Sequence, residues 1–194
     1  MCNDYRYRQP LERLIDEFAQ LRIPLRFPAG RPNIEPRDDI KITDRAAVIT
    51  ADGPQADLRV MRWSWPGPTG KPVYNFRSEG RRFGAGGRCL IPADGFYEFT
   101  TPADPTRKRK DKWLFTLAGS DVFAIAGFWK PGVASGEDAW TMLTCEPGSD
   151  IAPYHDRQVV VLAPDRWEDW LAGASEADLL RPSPAGTLQV EKLT

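Results

Sequence analysis

The sequence predicts an α+β fold in which short, mostly antiparallel strands form the core and a few helices flank it. Eight short apolar runs are separated by turn signals such as Asp52-Gly53 and Pro131-Gly132, and one amphipathic helix pattern precedes them. The 194 residues are 41% hydrophobic and 27% charged, which is typical of a compact globular protein. We expect residues 1–194 to form a single domain.

The first element is a helix that follows Pro10. Apolar residues recur there at the spacing of one helical face, and the pattern ends near Ile23-Pro24. These residues are Leu11, Leu14, Ile15, Phe18 and Leu21. The next segment, residues 24–39, is rich in Pro, Gly and Arg and predicts an irregular loop.

Strands are predicted for the remaining apolar runs. They cover residues 40–43, 46–50, 58–63, 88–91, 113–117, 122–129, 140–144 and 159–162, with a last strand at 187–193. Two short helices are expected late in the chain. Asp165 with Glu168 is spaced as a capping pair for the first, and Ser175 with Asp178 repeats the spacing for the second.

Several classes of protein are excluded by the sequence. No apolar run is long enough to span a bilayer, and the first residues lack the apolar segment of a secretory signal. The three cysteines, Cys2, Cys89 and Cys145, are odd in number and widely spaced, which argues against a disulfide framework or a zinc site. We therefore expect a cytoplasmic protein that is a monomer, contacts no membrane and holds no metal.

Charge is unevenly distributed along the chain. The net charge is −1, but residues 62–112 hold 11 basic and 5 acidic residues, and four consecutive basic residues occupy positions 107–110. This segment is a candidate polyanion-binding face, and the alternative is a set of solvated loops. The sequence pI of about 5.9 is lower than that of a general nucleic-acid binder, so any such binding should be local.

Cys2 is the first candidate for chemistry. It follows the initiator Met1, whose removal would leave a thiol and an α-amine on adjacent carbons. With an aldehyde, the amine condenses to an imine and the thiol closes a thiazolidine ring. With an acyl substrate, the thiolate attacks while the amine acts as base. On position alone, an ordinary second residue is the favoured interpretation.

Three further positions suit proton transfer or anion binding. His155, the single histidine, titrates near neutral pH, although a lone histidine is more often structural. Glu98 stands among aromatic residues, where burial favours the protonated acid, unless it faces water on an edge strand. Asn75 and Arg77 alternate on one strand face and supply an amide and a phosphate-binding guanidinium, or simply a solvent face.

The combination and order of these motifs resemble the SRAP family, known as SOS response-associated peptidases and as sensors of abasic sites in single-stranded DNA. Segments 88–98 and 151–157 are the most specific, and the matches span residues 2–170. The matching segments are Met1-Cys2, Asn33-Ile34-Glu35-Pro36, Arg62-Trp63, 75–79, 88–98, 123–129, 141–144 and 151–157. The chain departs from the family pattern after Cys2, where Asn3-Asp4 replaces Gly-Arg, and at Gln158-Val159, which replaces Met-Pro.

The resemblance implies an SRAP-like fold with a barrel-like core, a cysteine autopeptidase that removes the residue before Cys2, and a lyase-like DNA-crosslinking activity. The implied product is a thiazolidine that joins Cys2 to an abasic site, without any cofactor. Asn75, Glu98 and His155 would orient the amine and move protons. The implied DNA contacts are Asn33, Pro36, Trp63, Trp65, Arg77, Arg81, Arg82, Thr144 and Arg157. The implied partner is single-stranded DNA that contains abasic sites, with association to the nucleoid when DNA is bound.

Two other functions remain open at this level. One is an N-terminal-nucleophile cysteine amidohydrolase, which would hydrolyse glutamine and ignore abasic DNA. The other is a non-catalytic single-stranded DNA-binding domain, which would bind intact and abasic strands alike and would tolerate the loss of Cys2.

Overall fold

The computed structural model of the protein describes residues 2–194, which form sixteen strands and three α-helices. The strands are β1 (Asp4–Tyr7), β2 (Leu25–Arg26), β3 (Arg37–Lys41), β4 (Arg45–Asp52), β5 (Gln55–Trp63), β6 (Trp65–Pro66), β7 (Pro72–Val73), β8 (Asn75–Arg77), β9 (Arg88–Ala93), β10 (Gly95–Thr100), β11 (Asp111–Leu117), β12 (Phe123–Ala134), β13 (Glu137–Cys145), β14 (Gln158–Val159), β15 (Val161–Leu162) and β16 (Leu188–Lys192). The helices are α1 (Leu11–Gln20), α2 (Trp167–Leu171) and α3 (Glu176–Leu179), with 3-10 turns at Ala85–Gly87 and Pro164–Arg166.

Five strands close into a barrel. They are ordered β13-β12-β9-β4-β5, and β5 returns to β13 through a parallel pairing that sets Trp63 opposite Trp140. The other neighbours in this barrel are antiparallel. The short strand β8 pairs in parallel with β13, which places Asn75 opposite Met142. The predicted α+β fold with a barrel-like core is confirmed.

A second sheet carries the start of the chain. Its strand order is β16-β11-β10-β1-β3, so β1 lies between β10 and β3. The register sets Tyr5 opposite Phe96, and it sets Glu98 of β10 opposite Trp113 of β11. Because β1 begins two residues after Cys2, this pairing fixes Cys2 beside the end of β10.

The core joins the two sheets through aromatic packing. Trp63 and Trp140 stack with ring centroids 5.2 Å apart, and the ring of Tyr5 from β1 meets Trp63 edge-on at 5.5 Å. All three side chains are fully buried. Burial of each of these large side chains contributes several kcal/mol. The packing therefore stabilises the contact between β1 and the barrel.

The local predictions have mixed outcomes. Helix α1 is confirmed, and each predicted strand overlaps an observed one. Within the predicted loop at 24–39, β2 and the start of β3 are strands, because they pair with β5 and β1. The predicted capping pairs are wrong, since Asp165 lies in a 3-10 turn before α2, and neither α2 nor α3 has a side-chain cap. In residues 2–194, no helix is long and apolar enough to cross a membrane.

Candidate active site at Cys2

Cys2 is held at the end of the second sheet with its side chain 1% exposed. Its thiol donates a hydrogen bond to the carbonyl of Asp4 at 3.2 Å. Burial raises the pKa of the thiol far above its ordinary value, and the nearby carboxyl of Glu98 raises it further. The sulfur is therefore a protonated thiol at neutral pH, and it needs a local proton acceptor to act as a nucleophile.

Asn75 is the residue that fixes the backbone of Cys2. Its Nδ2 donates a hydrogen bond of 2.7 Å to the Cys2 carbonyl oxygen. The other end of the amide, Oδ1, is buried and has no hydrogen-bond partner among residues 2–194. A buried amide oxygen without a partner is costly, and it can accept a hydrogen bond from a group brought in by substrate. The structure thus places Asn75 at Cys2, and its role in catalysis stays a prediction.

Glu98 presents a buried carboxyl group to the same region. It lies on β10 and is 2% exposed. Burial raises its pKa to about 7, and the negative charge of Asp156 adds to the shift. A carboxyl with this pKa exists in both protonation states near neutral pH, so it can donate and accept protons in successive steps.

His155 lies in the loop after β13. The adjacent residue, Tyr154, packs its ring 4.7 Å from the ring of Trp113, which pairs with Glu98 across β10 and β11. Nδ1 of His155 accepts the backbone N–H of Arg157 at 2.9 Å, which assigns the proton of the neutral ring to Nε2. Burial lowers the pKa of His155, so the neutral form dominates at pH 7.

The carboxylate of Asp156 lies close to the ring of His155. This carboxylate lies 2.9 Å from Nδ1, the same nitrogen that accepts the N–H of Arg157. Nδ1 cannot accept from Arg157 and donate to Asp156 at once. Protonation of the ring would therefore replace the first contact by the second.

Arg157 is held by several hydrogen bonds within the protein. Its guanidinium donates to both oxygens of Glu79, at 2.6 and 2.8 Å, and to the carbonyl of Thr144 at 3.0 Å. The Arg157 side chain is only 10% exposed. Thr144 is also buried, and its hydroxyl accepts from Arg157 at 3.2 Å. These bonds hold Arg157 and Thr144 within the protein, and their contacts with DNA stay predictions.

Neither predicted stacking tryptophan is accessible. Trp63 is fully buried, and its indole N–H donates to the carbonyl of Tyr74 at 2.9 Å. Trp65 is 8% exposed and packs against Ala134 and Ala139. A base needs an open ring face, so the prediction that Trp63 or Trp65 stacks on DNA is wrong. Sequence alone did not reveal that the closure of the barrel places Trp63 inside it.

The remaining predicted DNA residues are exposed. Arg77, Arg81 and Arg82 form no ion pair within residues 2–194, and Arg81 lies 4.4 Å above the ring of Phe76. Asn33 donates to Glu35 at 3.1 Å and lines a separate recess of about 320 Å³ that also includes Tyr7. Pro36 is exposed and directly precedes β3. The DNA contacts of these five residues stay predictions.

Glu79 is a residue that the sequence did not single out. Its partner is Arg157. The parallel pairing of β8 with β13 is what brings Glu79 to that arginine. The described residues also contain no group of three or more His, Cys, Asp or Glu side chains that could hold a metal ion.

The fold and the site together define a class of protein: a closed barrel crossed by a second sheet, which holds a buried cysteine at position 2 between an asparagine and a glutamate. Residues 1–194 match the family model described as SOS response associated peptidase (SRAP). The chain belongs to the SRAP family.

Two relatives from Bacillus subtilis (strain 168) carry the name abasic site processing protein. YoaM is 29% identical over 187 residues, which cover 88% of this chain and 79% of YoaM. YobE is 27% identical over 187 residues, which cover 88% of this chain and 82% of YobE. Both alignments extend over most of each protein.

Solved structures share the architecture. A crystal structure of a protein from Bordetella bronchiseptica superposes over 100% of both chains with a TM-score of 0.74 and 26% identity. A phage-related protein from the same organism covers 99% of this chain and 94% of its own, with a TM-score of 0.72 and 18% identity. The second likeness concerns the fold alone.

Proposed function

We propose that this protein captures abasic sites in single-stranded DNA by forming a thiazolidine between Cys2 and the deoxyribose aldehyde. Membership of the SRAP family and the names of the Bacillus relatives support an abasic-site substrate. The observation that carries the proposal is the environment of Cys2. Asn75 donates a hydrogen bond of 2.7 Å to the Cys2 carbonyl, and the nearby carboxyl of Glu98 raises the pKa of the Cys2 thiol.

Capture requires a free α-amine on Cys2. The peptide bond between Met1 and Cys2 is hydrolysed with one water, which releases methionine and the amine. Met1 is outside the residues that the structure describes, so its removal stays a prediction. The thiol of Cys2 is adjacent to this bond, and Glu98 is the neighbouring group able to take up and return a proton.

The first bond in capture forms between the Cys2 amine and the aldehyde carbon of the ring-opened sugar. The resulting carbinolamine loses water to give an imine, and protonated Glu98 donates the proton that the departing hydroxyl needs. Asn75 keeps the Cys2 backbone fixed during this change. The unpartnered Oδ1 of Asn75 is then available to accept a hydrogen bond from the amine.

The second bond forms between the Cys2 sulfur and the imine carbon. Glu98, now a carboxylate, accepts the thiol proton and is again protonated. The imine reacts in its protonated form, so the electron pair of the C=N bond goes to the nitrogen, which keeps its one hydrogen. The product is a thiazolidine, and the overall reaction releases one water. Ring closure removes the hydrolysable C=N bond, which makes the crosslink stable.

His155 acts before these steps, on the closed form of the sugar. The neutral ring carries its proton on Nε2, because Nδ1 accepts from Arg157. Nε2–H donates toward the ring oxygen of the sugar and favours the open aldehyde. Because the hemiacetal also opens without help, loss of His155 slows capture and does not abolish it.

The test is an intact-mass measurement after the protein is mixed with an oligonucleotide that contains one abasic site. The expected product is a stable adduct whose mass is the sum of the mature protein and the DNA minus one water. Cys2→Ala should give no stable adduct, and the matched control Cys89→Ala should behave as the wild type, since Cys89 is a buried core residue. Equal stable adduct from Cys2→Ala, or hydrolysis of glutamine instead of capture, would overturn the proposal.

A further inference from the structure

We propose that the loop between β10 and β11 is a second phosphate-binding surface, which contacts single-stranded DNA on the opposite side of Cys2 from Arg77. The inference rests on the proposed function for the position of the abasic residue at Cys2. Its consequence is that the preferred abasic site is internal, with phosphates on both sides.

The loop carries a dense and largely unpaired positive charge. Residues 107–110 are Arg-Lys-Arg-Lys, and every residue from 103 to 110 is exposed. Arg107 pairs with Asp111 at 2.9 Å. Within the described part of the chain, Lys108, Arg109 and Lys110 form no ion pair. Three exposed cations that form no ion pair attract a polyanion.

The pairing of the second sheet places this loop beside Cys2. β1 starts just after Cys2, β10 ends at Thr100, and β11 starts at Asp111. Since β10 is antiparallel to both β1 and β11, these three chain positions lie at one end of the sheet. The loop therefore leaves from the end of the sheet that holds the cysteine.

A recess connects the loop to the residue after Cys2. Its volume is about 390 Å³, and its lining includes Asn3, Phe99, Arg109 and Lys112. Lys112 is committed to Asp4 at 3.0 Å and to a second carboxylate at 2.6 Å, so the charge available for a phosphate is that of Arg109 and its neighbours. Phe99 is half-buried and offers an aromatic face next to these cations, the combination that binds unpaired nucleotides.

Arg77 approaches Cys2 from the other sheet. It ends β8, the strand whose first residue, Asn75, contacts the Cys2 carbonyl. Arg77 thus belongs to the barrel, whereas the 107–110 loop belongs to the second sheet. A strand whose sugar enters at Cys2 runs between cations supplied by each sheet, and its phosphates on the two sides meet different groups.

The test compares the double variant Arg109→Ala, Lys110→Ala with the control Arg166→Ala, Arg181→Ala, which removes two cations outside the recess. Binding of an intact single strand without an abasic site is measured against salt concentration. Two lost phosphate contacts should lower the salt slope by about 1.4 and the low-salt affinity by about tenfold. The control should leave both unchanged. An equal effect of the two variants would overturn the inference.

A second arm tests the side of contact. Capture is measured on oligonucleotides that extend from the abasic site only in the 5′ or only in the 3′ direction. The loop variant should capture one of these two oligonucleotides more slowly than the wild type does. Arg77→Ala should slow capture of the other. Losses on the same oligonucleotide would contradict opposite placement. The first arm uses intact DNA, so it does not depend on capture. If the wild-type protein forms no adduct but the loop variant still lowers the salt slope, the proposed function is rejected and the binding surface is retained.

Discussion

Glu79 holds the guanidinium of Arg157 through two hydrogen bonds, from Nη1 at 2.6 Å and from Nη2 at 2.8 Å. The backbone N–H of the same arginine donates to Nδ1 of His155 at 2.9 Å. Glu79 lies four residues after Asn75, which contacts Cys2. One ion pair therefore links the segment that fixes the cysteine to the loop that carries the histidine.

Replacing Glu79 by Gln should loosen this link. We expect the capture rate to fall by about tenfold and the free energy of unfolding to fall by no more than about 1 kcal/mol, because Glu79 is 42% exposed. The matched control is Glu137→Gln, which weakens the ion pair between Glu137 and Arg45. In that pair the Arg45 side chain is 54% exposed and the Glu137 side chain 50%. Single-turnover crosslinking and urea unfolding measure the two effects, and equal capture rates for both variants would refute the link.

Glu98 should make stability depend on pH. Its pKa of about 7 in the folded protein exceeds the value of about 4.3 for an unfolded chain. The folded state thus binds the proton more tightly, and this contribution to stability is full below about pH 4 and is lost as the pH rises through about 7. The loss amounts to roughly 4 kcal/mol at alkaline pH.

Glu98→Gln tests this sign directly. The variant has no ionisable group at this position, so its free energy of unfolding relative to wild type should increase between about pH 5 and about pH 8. The same variant should capture abasic DNA far more slowly, since an amide cannot exchange the proton. Urea unfolding at several pH values is the measurement. A difference that stays constant with pH would show that Glu98 does not titrate in this range.

Asn75→Ala removes the hydrogen bond to the Cys2 carbonyl and the unpartnered Oδ1. We expect the rate constant of capture at saturating DNA to fall by about tenfold to a hundredfold, because the amine is no longer held in place. Gln20→Ala is the comparison, since Gln20 is exposed at the end of α1. It should leave that rate constant unchanged. Equal rates for Asn75→Ala and wild type would remove Asn75 from the site.

The buried tryptophans give a prediction about stability. Trp63→Ala should lower the free energy of unfolding by about 3–5 kcal/mol, because a fully buried indole and its stacking on Trp140 are lost. Trp63→Phe should keep most of the packing and bind single-stranded DNA with unchanged affinity. Fluorescence anisotropy checks the second statement, and a marked loss of affinity in a folded Trp63→Phe protein would restore a role in DNA binding.

The sequence predicted what depends on local pattern and motif order. Helix α1 followed from its apolar spacing, and the contact of Asn75 with Cys2 followed from the resemblance. The pairing of strands that are distant in the sequence could not be predicted. The closure of β5 on β13 buries Trp63, and the pairing of β8 with β13 gives Arg157 to Glu79. Trp63 and Arg157 were both predicted to contact DNA, and in the structure each contacts a residue of a distant part of the chain.

The central claim is that the captured sugar ends as a thiazolidine on Cys2, and one measurement tests it most directly. The crosslinked protein is treated with borohydride, digested, and the mass of the peptide that begins at Cys2 is determined. A thiazolidine has no C=N bond, so the account predicts the same peptide mass with and without borohydride. Cys2→Ala should instead give an adduct only when borohydride is present, with two added hydrogen atoms. A wild-type adduct that gains two hydrogen atoms, or one attached to any other residue, would contradict the account.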